Sequence, residues 1–436
     1  MNFKKIENYF LLIITFLIIF SFFLGFLLNE NSAGAGGTNG DFVHYIWPNL
    51  NLFKENILIN INSYNYTDSR MPLSYILHVL INPFIDSEIQ FRVSVFIISI
   101  LCPIFFFLNL KYKYKKTNNY LLVFLSVLIL LSPYFRTSAF WGLQENYGIL
   151  CILLSYYFYQ KYFLLFKKKN IEIKLLPVFF LTLLSSLSFY FDQKLLIIPL
   201  IFFFLIIFDK KIQIQSRILL TIFYMIFALP ALYLIFHWKG ILPPYAMEAR
   251  KTGSQFNLYN IGYASSIIFF YIFPFLFFIK NVKKKIFIFI KSKAFIYLFI
   301  FLIYFLLLLY FDDFRNVGFV GQGIFHKLID IISLKKSIQF LITIFIFLLS
   351  WIAINFFLEN LANKLISKIF FYYMILICFF IYPIFQEYFD PLIFVMIFTF
   401  FNLKFKINFK NTIILFTYFF IFLFFTNFYY LYKIEI

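Results

Sequence analysis

Few residues of this 436-residue chain could move a proton, and they are unevenly placed. There are nineteen carboxylates and four histidines. One of each falls in Asp41-Phe42-Val43-His44, just past a glycine-rich run. Asp41 and His44 are three residues apart, so a helix starting near Asp41 puts both on one face. Asp41 serves either as the side-chain cap of that helix or as a general base at a membrane surface where a lipid-linked substrate arrives. Arg70, in Asp68-Ser69-Arg70-Met71-Pro72, is a phosphate ligand or a snorkelling interface anchor. The segment Ser132 to Gly148 carries Arg136, Trp141 and Glu145. There Trp141 reads as a sugar-stacking platform or as an aromatic-belt residue. Gln193 sits in a tight turn between Asp192 and Lys194, an expected surface ion pair. Arg250 and Lys251 follow a turn stiffened by Pro243 and Pro244. They form either a phosphate-binding pair or a solvated basic loop. No metal site is expected, because Asp312 and Asp313 are chain neighbours with no third ligand spaced with them. The three cysteines, Cys102, Cys151 and Cys378, lie in apolar blocks and read as small buried hydrophobes.

The elements that position these residues follow from composition. The chain is 63% hydrophobic and 13% charged, against roughly a quarter charged in a soluble domain. Its apolar blocks, about 15 to 22 residues long, match the ~30 Å of a hydrocarbon core. That excludes a soluble enzyme, a disulfide scaffold and a disordered chain. The net charge of +19 forms no basic module, so no nucleic-acid partner is expected.

The predicted fold is an all-α polytopic membrane protein, one integral domain over residues 1–436. About 13 transmembrane helices are expected, near 10–28, 91–110, 120–134, 148–166, 173–191, 195–208, 218–236, 258–279, 294–311, 338–358, 365–385, 391–403 and 411–431. The first apolar run exceeds the ~7–15 residues of a signal-peptide core and is read as a retained span. With the amino terminus cytoplasmic, inner segments hold 25 of the 38 basic residues and only 4 of the 19 acids, as the positive-inside rule requires. The first extracytoplasmic loop, 29–90, contains the apolar stretch 73–85, too short to cross and suited to an interfacial or re-entrant helix. The inner loops are short and lysine-rich, and the chain has no GxxxxGK[ST] phosphate loop.

From Asp41 onward the chain resembles the GT-C superfamily of integral membrane glycosyltransferases, which use polyprenyl-phosphate-linked sugars. Within it, the layout is most similar to the dolichyl-phosphate-glucose α-1,2-glucosyltransferase family. The resemblance lies in Asp41-Phe42-Val43-His44, Arg70-Met71-Pro72-Leu73-Ser74-Tyr75, Phe91-Arg92-Val93, Glu145-Asn146-Tyr147, Phe191-Asp192-Gln193-Lys194 and the loop from Trp238 to Gln255. Two positions depart from it: Asp41-Phe42 stands where the family has two adjacent acids, and Asp192-Gln193 where it has Arg-Gln.

The resemblance implies an inverting transferase of the plasma membrane, acting on the extracytoplasmic face without a cofactor. Its donor would be a polyprenyl-phosphate sugar and its acceptor a glycan, lipid or protein. Asp41 would take the acceptor proton. Arg136, Arg250 and Lys251, then Arg70, would neutralise the leaving phosphate. His44, Glu145, Trp141 and Gln193 would orient the sugars. Two other classes remain open at this point. A polysaccharide or lipid-linked glycan flippase would show internal repeats and mid-membrane ionisable groups, and a scaffold of envelope assembly would have no chemistry of its own.

Overall fold

The computed structural model describes residues 3–32, 37–164, 175–250, 257–311, 322–332, 335–362, 364–381 and 384–433, without the side chains of residues 3, 4, 37, 249, 250, 432 and 433. The architecture is all-helical, with no strand among the described residues. Seven helices are long and apolar enough to cross a membrane: Lys5–Leu27, Glu88–Lys113, Ile214–Trp238, Tyr259–Leu276, Val282–Phe311, Lys336–Glu359 and Phe409–Leu431. Phe16, Phe236 and Tyr310 stay exposed along them, as lipid-facing side chains do.

One further apolar pair of helices is bent, as a broken span or a re-entrant loop is. Asn119–Leu131 and Pro133–Trp141 meet at 69°. The cause is local. Pro133 lacks an N–H and drives Ser132 into an extended conformation, while Ser132 Oγ accepts from the Phe135 N–H at 2.9 Å and restarts the helix. Gly142, at φ 77°, ends it. A Cβ there would lie 2.5 Å from the Phe91 ring, so only glycine fits. Residues 132–141, expected as an outer loop, are therefore a buried helix that carries Arg136 and Trp141 inward. The segment expected to span 391–403 holds only the seven-residue helix Leu392–Phe398, about 10 Å long and too short to cross. Leu175–Phe191 and Gln193–Ile207 are shorter apolar helices.

The chain packs as two compact units, Met1–Lys251 with Phe419–Ile436, and Thr252–Tyr418. In the second unit, Tyr259, Tyr263, Leu308 and Phe347 form a core cluster, and Gly262 makes room for the Phe347 ring. At its lysine-rich edge Glu359 holds Lys293, Lys364 and Lys368 at 2.7, 2.6 and 3.1 Å. Every candidate residue that the structure describes belongs to the first unit.

Candidate functional site

The first loop presents its chemistry on one helical face. Residues Gly37–Asp41 run through a π-turn, Phe42–Ile46, into Trp47–Glu55. Phe42, Ile46, Leu50 and Phe53 are buried along one side, a spacing that fixes the opposite side outward. Asp41 and His44 lie on that outward side, both exposed. Asp41 does not cap a helix: its backbone is helical, at φ −62° and ψ −38°, and its side chain makes no cap bond. Among the described residues its carboxylate has no hydrogen bond and no ion pair. It is exposed yet has enough protein around it that loss of hydration pushes its carboxyl above the usual range. Arg70 and His44 work against that shift, while Glu145 and Asp68 add to it.

Arg70 anchors the neighbouring cluster. It is paired with Glu145, and its Nη1 lies 3.6 Å from Asp68 Oδ1. Asp68 is buried and also accepts from Tyr75 Oη at 2.6 Å, Gln144 Nε2 at 3.0 Å and the Arg70 N–H at 3.0 Å. Burial works to raise the Glu145 carboxyl, but Arg70 and Lys194 outweigh it and hold Glu145 below the usual range. Arg70 in turn stays charged: burial disfavours the cation, and Glu145, Asp68 and Asp192 more than offset it. Two buried acceptors, Glu145 Oε2 and Gln144 Oε1, have no hydrogen-bond partner among the described residues. Gln193 Nε2 donates to Ser69 O at 3.2 Å and ties the Asp192–Lys194 turn to the loop before Arg70. Asp192 in that turn is buried and its ion-pair partner Lys194 largely covered, unlike an exposed surface pair, and Asp192 Oδ1 accepts from the Lys194 N–H at 3.2 Å. Asp41, His44, Arg70, Glu145 and Gln193 thus share one neighbourhood. Asp68, Gln144 and Tyr75 complete it and were not singled out from the sequence.

Arg136 and Trp141 lie elsewhere. All five guanidinium N–H groups of Arg136 are engaged: Nε and Nη2 on the Glu30 carboxylate, Nη2 also on Ser21 O at 2.8 Å, and Nη1 on Ser21 Oγ and Leu130 O at 3.3 Å each. No donor is left for a phosphate, so the expected phosphate role gives way to a structural one. Gly25 makes room for this pair, since a Cβ there would fall 2.3 Å from Glu30 Oε2. Trp141 is buried, donates from Nε1 to Glu30 O at 2.9 Å and carries the Arg92 guanidinium 3.9 Å from its ring centre. It has no open face for a sugar on that side. The Arg250 side chain and Lys251 lie outside the described residues, as do Asp312 and Asp313. No three His, Cys, Asp or Glu side chains among the described residues converge as metal ligands.

Beside the cluster lies an apolar cavity of about 470 Å³, within the usual range for small-molecule sites. The helices Leu73–Ile81, Glu88–Lys113, Glu145–Tyr159 and Leu175–Phe191 contribute its lining, which includes Leu77, Ile97, Leu150, Leu187 and Phe191. Three of them continue directly into the polar cluster, at Tyr75, Glu145 and Asp192.

The site therefore offers an open carboxylate of raised basicity, a charged arginine held by two acids, unpartnered buried acceptors and an adjoining apolar groove. Searches against protein-family models, curated proteins and solved structures found no match for this chain.

Proposed function

We propose that this membrane protein is an inverting glycosyltransferase that moves a sugar from a polyprenyl-phosphate donor to an acceptor hydroxyl on the extracytoplasmic face. The observation that carries the reading is Asp41, an exposed carboxylate without a hydrogen-bond or ion-pair partner among the described residues and with raised basicity, within electrostatic reach of Arg70, Asp68 and Glu145. A general base needs this combination: room for the incoming hydroxyl, and a proton affinity brought toward working pH.

In the proposed step the acceptor oxygen attacks the anomeric carbon while Asp41 takes its proton. The carbon–oxygen bond to the phosphate breaks, and the lipid phosphate leaves as an anion. That anion needs charge neutralisation more than protonation. Arg70, which acts on Asp41, and Lys194, which acts on Glu145, are the described candidates for that role, with Arg250 and Lys251 as further candidates. Glu145 Oε2 and Gln144 Oε1 would accept sugar hydroxyls, and the apolar groove would take part of the prenyl chain. His44 and Gln193 would help position the acceptor and the Arg70 loop. No cofactor is invoked. The reading includes a plasma-membrane location and a cytoplasmic amino terminus, supported by the lysine bias. It keeps a GT-C-like layout of about thirteen apolar segments, of which the shortest act as re-entrant pieces.

Comparative glycan mass spectrometry of envelope fractions tests it. Asp41→Asn is expected to remove one sugar from a defined glycan while the protein level stays constant. Unchanged glycan composition would sink the proposal. Loss of glycan delivery with normal glycan structure would point to transport instead.

A further inference from the structure

The cavity beside the cluster is apolar except along one wall, and the hydrogen bonds of that wall have a fixed direction. Ser74, His78 and Asn82 are spaced four residues apart along the helix Leu73–Ile81 and its cap, so they form one stripe, and all three line the cavity. Asn82 Oδ1 accepts from the Phe84 N–H at 2.9 Å. This orients the amide, so Nδ2 is the group that faces Ser94 Oγ and His78 Nδ1, each at 2.9 Å. Ser94 Oγ in turn donates to Phe91 O at 2.7 Å.

His78 Nδ1 must therefore be the acceptor of its ring, which leaves the proton on Nε2. Burial holds His78 down to about 4, in keeping with a neutral ring. Nε2–H then donates to Tyr147 Oη at 2.8 Å. The tyrosine oxygen is acting as an acceptor, so its own hydrogen has to be given elsewhere. No acceptor for it exists among the described residues. Ser74 Oγ, one helical turn before His78, is also buried and without a hydrogen-bond partner. Two residues on different helices that line the cavity, Ser74 and Tyr147, thus carry hydroxyl hydrogens that no described residue accepts. Buried polar groups left in that state are costly.

We infer that this cavity binds a long-chain lipid carrying an acceptor oxygen, and that the Tyr147 and Ser74 hydroxyls donate to that oxygen. The inference deepens the transferase reading by naming the contact between lipid and protein, but it concerns binding alone.

The test uses the purified full chain in nanodiscs of zwitterionic phospholipid. Three probes are titrated: a long-chain polyprenyl monophosphate, the matching polyprenyl alcohol and an oxygen-free isoprenoid hydrocarbon. The unmodified protein should bind both oxygenated probes more tightly than the hydrocarbon. Tyr147→Phe should weaken the oxygenated probes about tenfold, the effect of about one hydrogen bond, and leave the hydrocarbon unchanged. Ser74→Ala breaks no bond within the protein and should cost the same probes about threefold. Leu77→Trp, which fills the cavity, should weaken all three.

Equal binding of all probes to the unmodified protein overturns the inference. So do a uniform loss with Tyr147→Phe and Ser74→Ala, or wild-type binding by Leu77→Trp. The Asp41→Asn protein should keep the whole binding pattern. A lost pattern with intact glycans would defeat this inference alone, and a retained pattern with unchanged glycans in Asp41→Asn would defeat the transferase reading alone.

Discussion

Two arginines of the same unit, Arg136 buried and Arg70 partly exposed, meet carboxylates in opposite ways. Arg136 has every N–H occupied by Glu30, Ser21 and Leu130. Around Arg70 the acids outnumber the cation: Asp68 and Glu145 both contact it, and Asp192 and Asp41 lie within electrostatic range. Acceptors are left over there, at Glu145 Oε2 and Gln144 Oε1. A saturated site holds helices together, whereas a site with unmet acceptors and an open carboxylate is arranged for something that arrives. The distinction comes from counting donors and acceptors, since residue type alone would rank the two arginines alike.

The largest expected effect is on the open side of this contrast. Asp41→Asn should lower transfer by about 10²–10⁴-fold, the usual contribution of a general base, in an assay of reconstituted protein with lipid-linked sugar. Unfolding midpoints should stay unchanged, because Asp41 has no hydrogen bond or ion pair to lose among the described residues. Arg136→Met should do the reverse. It leaves the Glu30 carboxylate without its cation and should cost about 3–5 kcal/mol of stability, read by thermal unfolding in detergent. Adding Glu30→Gln should recover part of that loss.

Arg70→Gln sharpens the comparison through pH. Arg70 lowers the Asp41 carboxyl, so its removal should raise that pKa further. A base works only when deprotonated, and the acid limb of the pH–rate profile should therefore move to higher pH. A limb that stays in place would separate Arg70 from Asp41. The smallest effect belongs to His44→Ala, which removes a weaker influence of the same sign. Its limb should move in the same direction by less, with turnover changed by under about tenfold.

Much of this was legible in the chain itself. Composition and apolar block length gave the membrane class, and the i, i+3 spacing predicted a shared face for Asp41 and His44, which are both exposed. The short apolar stretch after Pro72 does form a helix too short to cross. The number of crossings was less legible, because hydropathy does not register breaks. The segment 119–141 is apolar throughout its first part, yet Ser132-Pro133 bends it by 69°.

Arg136 and Trp141 looked available because they sit in a polar stretch. Their partner Glu30 lies more than a hundred residues away, and no local pattern announces such a pairing. Gln144 and Asp68 were missed for the same reason, being 76 positions apart. One signal was readable and not used: the four-residue spacing of Ser74, His78 and Asn82 in an otherwise apolar helix.

The notch at Gly25 has a consequence for how the molecule is put together. The opening helix contributes three things to Arg136: the Ser21 carbonyl, the gap at Gly25 and, just past its end, Glu30. Asn427, on the closing helix, also reaches Glu30 at 3.3 Å. A protein trimmed after residue 32 would keep an entombed guanidinium with its counter-ion gone, and would free the last helix from the same tether. Even one methyl group at position 25 would press on this junction, so the beginning and the end of the first unit depend together on a side chain that is not there.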